Sequence, residues 1–380
     1  MARSNTRARN VMKSRARTRK AAAKRRSQYA LNIQRKGVQE PIVWSFRNYR
    51  ECHLYPEIEA EDKRPPRKPT PSELEHAERI VDTFHHFEHG KVVVVDKTNN
   101  GKIIAVIECT PLDKLSRTEK ANINLVTTFL HESKDFVDYM GPSRTWGGRM
   151  WAFGWRKAMK AYKLFGVYVL GDAVKSALAR YTKLVSRAPK VSEVIGRMFH
   201  NLADIPFNEN RSFMAKNSIP SLSSFKFEDK LGKFDCAPHV TFTTDSYYNN
   251  PHKDTRDIST YAFAMFVPTL SANGRLADNS SGYDVSGGRF VMPDYNFCID
   301  LSKEKCVVKL LWAASQYKHC TLPTIEGPLY TRMALSVQIN NRTSNTARDL
   351  ESGEIYNRKS NKTKNRAALY VAGHGHYIKK

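Results

Sequence analysis

The chain has 380 residues, is 41% hydrophobic, and carries 62 Lys and Arg against 37 Asp and Glu, a formal net charge of +25. That apolar content fills the core of one large or two modest domains, which excludes a wholly disordered or fibrous chain. No apolar stretch reaches the length of a transmembrane helix and the start lacks a secretory h-region, which points away from membrane and secretory classes.

The charge is uneven. Residues 1–37 hold thirteen Lys and Arg and no acid, residues 358–380 hold seven and no acid, and about +5 is left for the body between them. Residues 2–36 are too polar to pack and predict a disordered arm. Each cation near a polyanion displaces a condensed counterion, so the arm favours salt-sensitive, sequence-blind attraction to nucleic acid. A solubilising tail, an acidic membrane and a mitochondrial transit peptide are the alternatives. Residues 20–26 fit a nuclear localisation patch, which predicts a nuclear protein.

Residues 38–69 contain one apolar knot (41–46) and then a Pro- and charge-rich linker. Thr70-Pro71-Ser72-Glu73 is a helix start with a capping box and Pro at the first helical position. Leu74, Ala77, Val81, Phe84 and Phe87 continue at helical spacing to Gly90. His85, His86 and His89 then read as surface histidines. Residues 91–96 and 102–109 are β-rich and predict a hairpin turning at residues 98–101. Ser116 and Glu119 open another helix, to about His131. Residues 141–168 interleave Trp146, Trp151, Phe153 and Trp155 with Arg149, Arg156, Lys157 and other cations. Either the aromatics stack on nucleobases beside phosphate-holding cations, with Trp146 and Arg149 touching the nucleic acid, or they fill the core. Helices over 172–187 and 191–202 would buttress a sheet. The six cysteines lack C-x-x-C spacing and read as buried thiols in a reducing compartment.

From Asp235 the pattern becomes short and β-like. Tyr247 and Tyr248 precede a polar turn and either stack on a substrate or pack in the core. His252 and Asp254 stand two apart, so on a strand their side chains share one face. His319 follows between two apolar runs. Two imidazoles and one carboxylate with open positions left over suit non-haem Fe(II). His239 competes as a ligand but has no partner at useful spacing. On the strand from Tyr330, Arg332, Ala334, Ser336 and Gln338 share one face, so Arg332 points inward to clamp a dicarboxylate. Gln338 and Asn340 either offer amide hydrogen bonds to a base edge or are polar groups at a rim. His374 and His376 read as part of a basic tail.

The order of H-x-D, a run of strands, His and then Arg resembles the double-stranded β-helix of Fe(II)/2-oxoglutarate dioxygenases. Gly287-Gly288-Arg289-Phe290-Val291-Met292-Pro293-Asp294-Tyr295, followed by Trp312, His319 and Leu322-Pro323, is similar to the fungal branch of the TET/JBP family. The resemblance covers about residues 236–342. It implies that His252, Asp254 and His319 ligate Fe(II), that Arg332 binds 2-oxoglutarate, and that Asp257 faces the base or is a solvated turn charge. The expected architecture is α+β: a disordered basic arm and linker (1–69), a helical or mixed part packing on the core (70–204), a jelly-roll, cupin-like double-stranded β-helix (205–345) and a basic C-terminal tail (346–380). The expected activity is O2-dependent oxidation of a methylated base in DNA. The substrates are 5-methylcytosine, taken to 5-hydroxymethylcytosine and further, and N6-methyladenine, which would be demethylated. RNA, a protein-hydroxylase activity and a non-catalytic basic nucleic-acid-binding protein are the alternatives.

Overall fold

The computed structural model describes residues 42–141, 145–157, 160–278, 280–302 and 305–378, with Met12, Lys13 and Arg17. The rest of the basic arm predicted over residues 1–37 lies outside the described residues. Among the described residues the strands are, in chain order, β1 (Val43–Arg47), β2 (His85–Phe87), β3 (Gly90–Asp96), β4 (Ile103–Pro111), β5 (Gly147–Lys157), β6 (Lys163–Val167), β7 (His239–Tyr248), β8 (Ala262–Leu270), β9 (Ser286–Gly287), β10 (Phe290–Met292), β11 (Phe297–Ile299), β12 (Cys306–Trp312), β13 (Cys320–Thr321), β14 (Thr324–Ile325), β15 (Tyr330–Val337) and β16 (Tyr370–Ala372). A ten-stranded sheet in the order β1-β3-β4-β12-β8-β15-β7-β5-β6-β16 faces a four-stranded sheet, β13-β10-β11-β2, with β14-β9 as a separate ribbon. This is the jelly-roll arrangement of an α+β protein.

The large sheet is buried on both faces, which is why its central strands read as unbroken apolar runs. On β8, Phe263, Met265 and Val267 pack against helices, while Ala262, Ala264 and Phe266 face the small sheet. The helix layer consists mainly of Arg117–Ser133, Leu178–Ser186 and Ala188–Leu202, contributing Phe129, Leu184, Val191 and Phe199. The opposite face carries the small side chains Ala262, Ala264 and Ala334, packed towards the small sheet.

Both predicted capping boxes form, Thr70 with Glu73 and Ser116 with Glu119. The predicted hairpin is β3 and β4, with β3 also pairing in parallel with β1. Three expectations are corrected. The first helix ends at Asp82, and His85–Phe87 form β2, pairing in parallel with β11. Phe84 and Phe87 hold helical spacing by coincidence, and the paired edge of the small sheet outweighs it. Residues 42–69 are no linker, since Leu54, Tyr55 and Ile58 are buried beneath Val81 and Trp146. The boundary at residue 204 dissolves too, because β1 and β3 to β6 belong to the same sheet as the later strands.

The C-terminal segment is folded rather than a tail. Helix Asn341–Glu351 packs on β5 and β6, and β16 extends the large sheet beside β6. His374 is 0% exposed. Its ring stacks on Phe153 at 4.7 Å, its Nδ1 meets the Tyr181 hydroxyl at 2.9 Å and its Nε2 meets the Leu222 carbonyl at 3.2 Å.

A polar knot ties the N-terminal hairpin to the small sheet. The buried Asp96 carboxylate accepts from the Tyr295 hydroxyl at 2.6 Å, the Tyr317 hydroxyl at 3.3 Å and the backbone N–H groups of Thr98 and Asn99. Asp294 accepts from the Cys52 N–H at 3.2 Å. The Pro-Asp-Tyr end of the glycine-rich motif therefore anchors the architecture. All six cysteines are free thiols. No described helix is long and apolar enough to cross a membrane.

Burial pushes the His374 imidazole down to about 4, below the 6.5 of an unfolded histidine. The unfolded chain therefore gains a proton that the folded chain refuses, so stability is full above pH 6.5 and falls as pH drops towards 4. His374→Phe should flatten this fall in thermal unfolding scans. At pH 7 it should cost about 1–3 kcal/mol through the orphaned Tyr181 and Leu222 groups. An unchanged pH slope would remove His374 from the titration.

Candidate active site

The site is assembled by backbone pairing before any side chain acts. β7 crosses the large sheet and ends at Tyr248, and the chain then turns onto the small sheet. There the His252 N–H donates to the His319 carbonyl at 3.0 Å and the His319 N–H donates to the His252 carbonyl at 2.9 Å. This reciprocal antiparallel bridge places two residues far apart in sequence directly opposite one another. The Asp254 N–H donates to Ala314 O at 3.0 Å, fixing the carboxylate beside them.

The side chains converge. Asp254 Oδ1 lies 3.6 Å from His252 Nε2, and Asp254 Oδ2 lies 3.8 Å from His319 Nε2. One ligand atom from each residue falls within 4.8 Å of the others. Each imidazole is oriented through its other nitrogen, His252 Nδ1 meeting Asn250 O at 2.8 Å and His319 Nδ1 meeting Tyr317 O at 3.0 Å. A carbonyl accepts only from a protonated Nδ1, so each neutral ring presents an unprotonated Nε2 to the centre. The His319 ring is stacked on Phe290 and edge-on to Trp312, both at 5.6 Å. Burial, with His252 adjacent, pushes its pKa down to about 3 and keeps it neutral. Two such nitrogens and a carboxylate fit Fe(II).

Arg332 is buried on β15, on the face opposite Met333, Leu335 and Val337, which pack with the helices. Its guanidinium donates to Gly287 O at 2.8 Å and Leu301 O at 3.0 Å, and among the described residues no carboxylate pairs with it. Two carbonyls orient the fork and leave its positive charge for an anionic ligand. Gly287 and Gly288 both have positive φ, +67° and +70°, and a Cβ at Gly288 would overlap Arg332 Nη1 and Thr324 Cγ2. The paired glycines of the motif therefore shape the clamp.

Glu326 braces the clamp from outside the sequence motifs. Its Oε1 accepts from the Arg332 N–H at 3.0 Å and the Thr324 hydroxyl at 3.1 Å. Its Oε2 accepts from the Thr331 hydroxyl at 2.8 Å and the Ser246 N–H at 2.9 Å. Asp245 and Ser246 are both left-handed, with φ of 63° and 59°, and form a bulge where β7 passes β5. One carboxylate thus ties the clamp strand to the bulge ahead of the metal turn. A lone Glu in a Thr-Ile-Glu-Gly turn offers no sequence signal for this.

The remaining candidates divide. Gln338 is half-buried, and its Oε1 is enclosed without a hydrogen-bond partner. Asp257 is half-buried, its N–H donates to Asp254 O at 2.9 Å, and its backbone bridges to Asn340. Tyr247 is half-buried beside the bulge. Asn340, Trp146 and Arg149 have defined neighbours. Asn340 caps helix Asn341–Glu351, its Oδ1 accepting from the Thr343 N–H at 2.8 Å, so that oxygen is committed to the backbone. Trp146 is core, edge-on to Tyr55 at 4.9 Å, and Tyr248 packs partly against it. Arg149 is exposed and pairs with Asp245 at 4.0 Å. Trp151 and Trp155 are buried because β5 is internal to the large sheet.

A second group, His86, Glu88 and Asp300, also lies within ligand-atom reach. Arg289 occupies it, at 3.4 Å from Asp300, while both His86 nitrogens meet protein oxygens. This is an ion-pair network rather than an open site. His239 is buried on β7 and does not join the triad.

No curated protein sequence matches the chain. Among solved structures, NgTET1 in complex with 5mC DNA is similar at 14% identity and TM-score 0.38, covering 70% of this chain and 88% of that one. A 2OG-Fe(II) oxygenase family oxidoreductase from Burkholderia pseudomallei shows 10% identity and TM-score 0.29, covering 63% and 87%. OsALKBH1 shows 7% identity and TM-score 0.28, covering 62% and 96%. The family model of the Tet-like 2OG-Fe(II) oxygenase superfamily matches residues 116–324, which include His252, Asp254 and His319 and stop short of Arg332. The chain belongs to the Tet-like 2OG-Fe(II) oxygenase superfamily, dioxygenases whose cofactors are Fe(II) and 2-oxoglutarate.

Proposed function

We propose that the protein oxidises a methylated base in nuclear DNA, 5-methylcytosine first and N6-methyladenine second. In this reading His252, Asp254 and His319 hold Fe(II), and Arg332 pairs with the distal carboxylate of 2-oxoglutarate. Iron and 2-oxoglutarate, when bound, would supply with O2 an oxidant for an unactivated C–H bond. The chain's own residues do the rest. The Nδ1-to-carbonyl bonds hold both imidazoles with Nε2 inward, Phe290 and Trp312 keep water from His319, and the Gly287 and Leu301 carbonyls aim the clamp.

The observation that carries the base assignment is the enclosed, unpartnered Gln338 Oε1, immediately beyond the strand that carries Arg332. A buried acceptor without a donor costs about 1–3 kcal/mol, and a bound donor recovers that cost. The exocyclic amine of cytosine or adenine is such a donor. Asp257 stands at the same end, its backbone bridged to Asn340. A base stacked in a duplex cannot present its methyl group to an enzyme site, so the target is flipped out at a cost of a few kcal/mol. The net charge of +25 favours a polyanionic substrate over a neutral peptide.

The test is turnover of methylated duplex DNA by the purified protein with Fe(II), 2-oxoglutarate and ascorbate, with nucleosides read by mass spectrometry. Co-substrate-dependent 5-hydroxymethylcytosine or loss of N6-methyladenine is expected. Succinate without a change in either base would sink the base assignment. His252→Ala, Asp254→Ala and His319→Ala should each bring turnover to background and remove tight Co(II) binding, while duplex binding persists. Gly288→Ala should push the guanidinium aside and raise KM for 2-oxoglutarate about tenfold, or about 1.4 kcal/mol, with duplex affinity unchanged. An unaltered KM would separate the glycine pair from the clamp.

A further inference from the structure

The C-terminal segment returns to β6 and brings two runs of cations together. Its β16 pairs in parallel with β6, and the Tyr370 N–H donates to Tyr162 O at 3.0 Å. Lys364 Nζ lies over the Tyr162 ring at 5.5 Å, and Arg366 lies over Tyr356 at 4.2 Å. The Tyr370 ring stacks on His376 at 5.3 Å. Tyr162 and Tyr370 are 46% and 36% exposed, so aromatic faces stand among the cations at the surface.

Apart from Asp349, which pairs with Arg358 at 2.7 Å, no acid is paired with these cations among the described residues. Residues 155–171 and 355–378 contain no Asp or Glu. Among the described residues Lys157, Lys160, Lys359, Lys362, Lys364 and Arg366 form no ion pair, whereas Arg180, Arg187, Arg197 and Arg358 each reach a carboxylate. Lys163, half-buried between the two runs, donates to Val167 O and the Tyr377 hydroxyl, both at 3.1 Å. Burial, with Arg156 and Lys160 nearby, pushes it down to about 8. Cations kept close without counter-charge cost folding free energy, and an external polyanion would offset that cost.

Position relates the surface to the active site. Across the large sheet Val337 of β15 and Phe153 of β5 both pair with Val240 of β7. The strand leading to Gln338 and Asn340 and the β5–β6 hairpin therefore leave the sheet at the same end, with helix Asn341–Glu351 between them against β5 and β6. Asp257 joins this end through its bridge to Asn340.

We propose that the β5–β6 hairpin and the folded segment 358–370 form a docking surface for the sugar-phosphate backbone of duplex DNA beside the mouth of the active site. The surface binds backbone and carries no sequence information, holding the duplex while a base is drawn into the site. The proposal rests on the reading that the site acts on a base in DNA.

The test compares the full chain with a variant combining Lys157→Glu, Lys160→Glu, Lys362→Glu and Lys364→Glu, and with the same four positions changed to Arg. Binding of a labelled unmodified duplex is followed by anisotropy across a salt series. Charge reversal should weaken binding at least about tenfold and lower the salt slope by about 0.9 for each phosphate no longer neutralised, while the Arg variant binds as the parent does. Unchanged affinity and slope on reversal would overturn the proposal, as would equal weakening in the Glu and Arg variants. Loss of binding to phosphatidylserine vesicles with duplex binding intact would assign the surface to a membrane and overturn it too. A parent protein that oxidises no base yet ceases to bind duplex on reversal would leave the surface standing and fail the base-oxidation reading alone.

Discussion

Two reciprocal backbone hydrogen bonds join His252 to His319, and the candidate site depends on them. Peptide pairing sets the separation of opposed residues within tight limits, so the imidazoles are placed by the sheet rather than by their own rotamers. Rotamer freedom is then removed by one carbonyl each, supplied two residues upstream by Asn250 and Tyr317. The same device appears on both strands, and it turns both Nε2 atoms towards Asp254. A metal centre built this way is preorganised by the fold, and its geometry persists as long as the small sheet stays closed on the large one.

Polar knots accompany the apolar packing, one buried at Asp96 and one half-buried at Glu326. Asp96 gathers two tyrosine hydroxyls and two backbone N–H groups, and Glu326 gathers two hydroxyls and two backbone N–H groups. Fully satisfied networks of this kind specify one arrangement, because breaking any member strands the others away from water. Glu326 has a further consequence. It links the Arg332 strand to the left-handed bulge at Asp245 and Ser246, so the clamp and the entrance to the metal turn are held by a single carboxylate.

In the proposed reading, one end of the large sheet gathers the groups that would meet a nucleic acid. Gln338 Oε1 is enclosed without a hydrogen-bond partner at this end, and Lys157, Lys160, Lys362 and Lys364 of the hairpin and the C-terminal segment form no ion pair among the described residues. Base-edge acceptors act only at short range in an enclosed site, while phosphate-binding cations work from an exposed surface. In the proposed reading, that division would suit a base drawn out of the duplex.

Local signals in the sequence determined what local physics controls. The capping boxes at Thr70 and Ser116, the β3–β4 hairpin, the H-x-D pair on one face and the alternation that turns Arg332 away from Met333 and Leu335 all depend on neighbouring residues alone. Tertiary structure decided the rest. Residues 85–87 have helical spacing, yet pairing with β11 makes them a strand. Trp146 has cations as sequence neighbours, yet in the fold its ring meets Tyr55. Asn340 matches a base-reading amide until the helix that follows claims its oxygen as a cap. The segment after residue 346 has the composition of a tail, but β6 offers an edge for β16, and Tyr181 and Phe153 offer a buried slot for His374. In most of these cases the deciding partner lies far along the chain, where composition and periodicity carry no information about it.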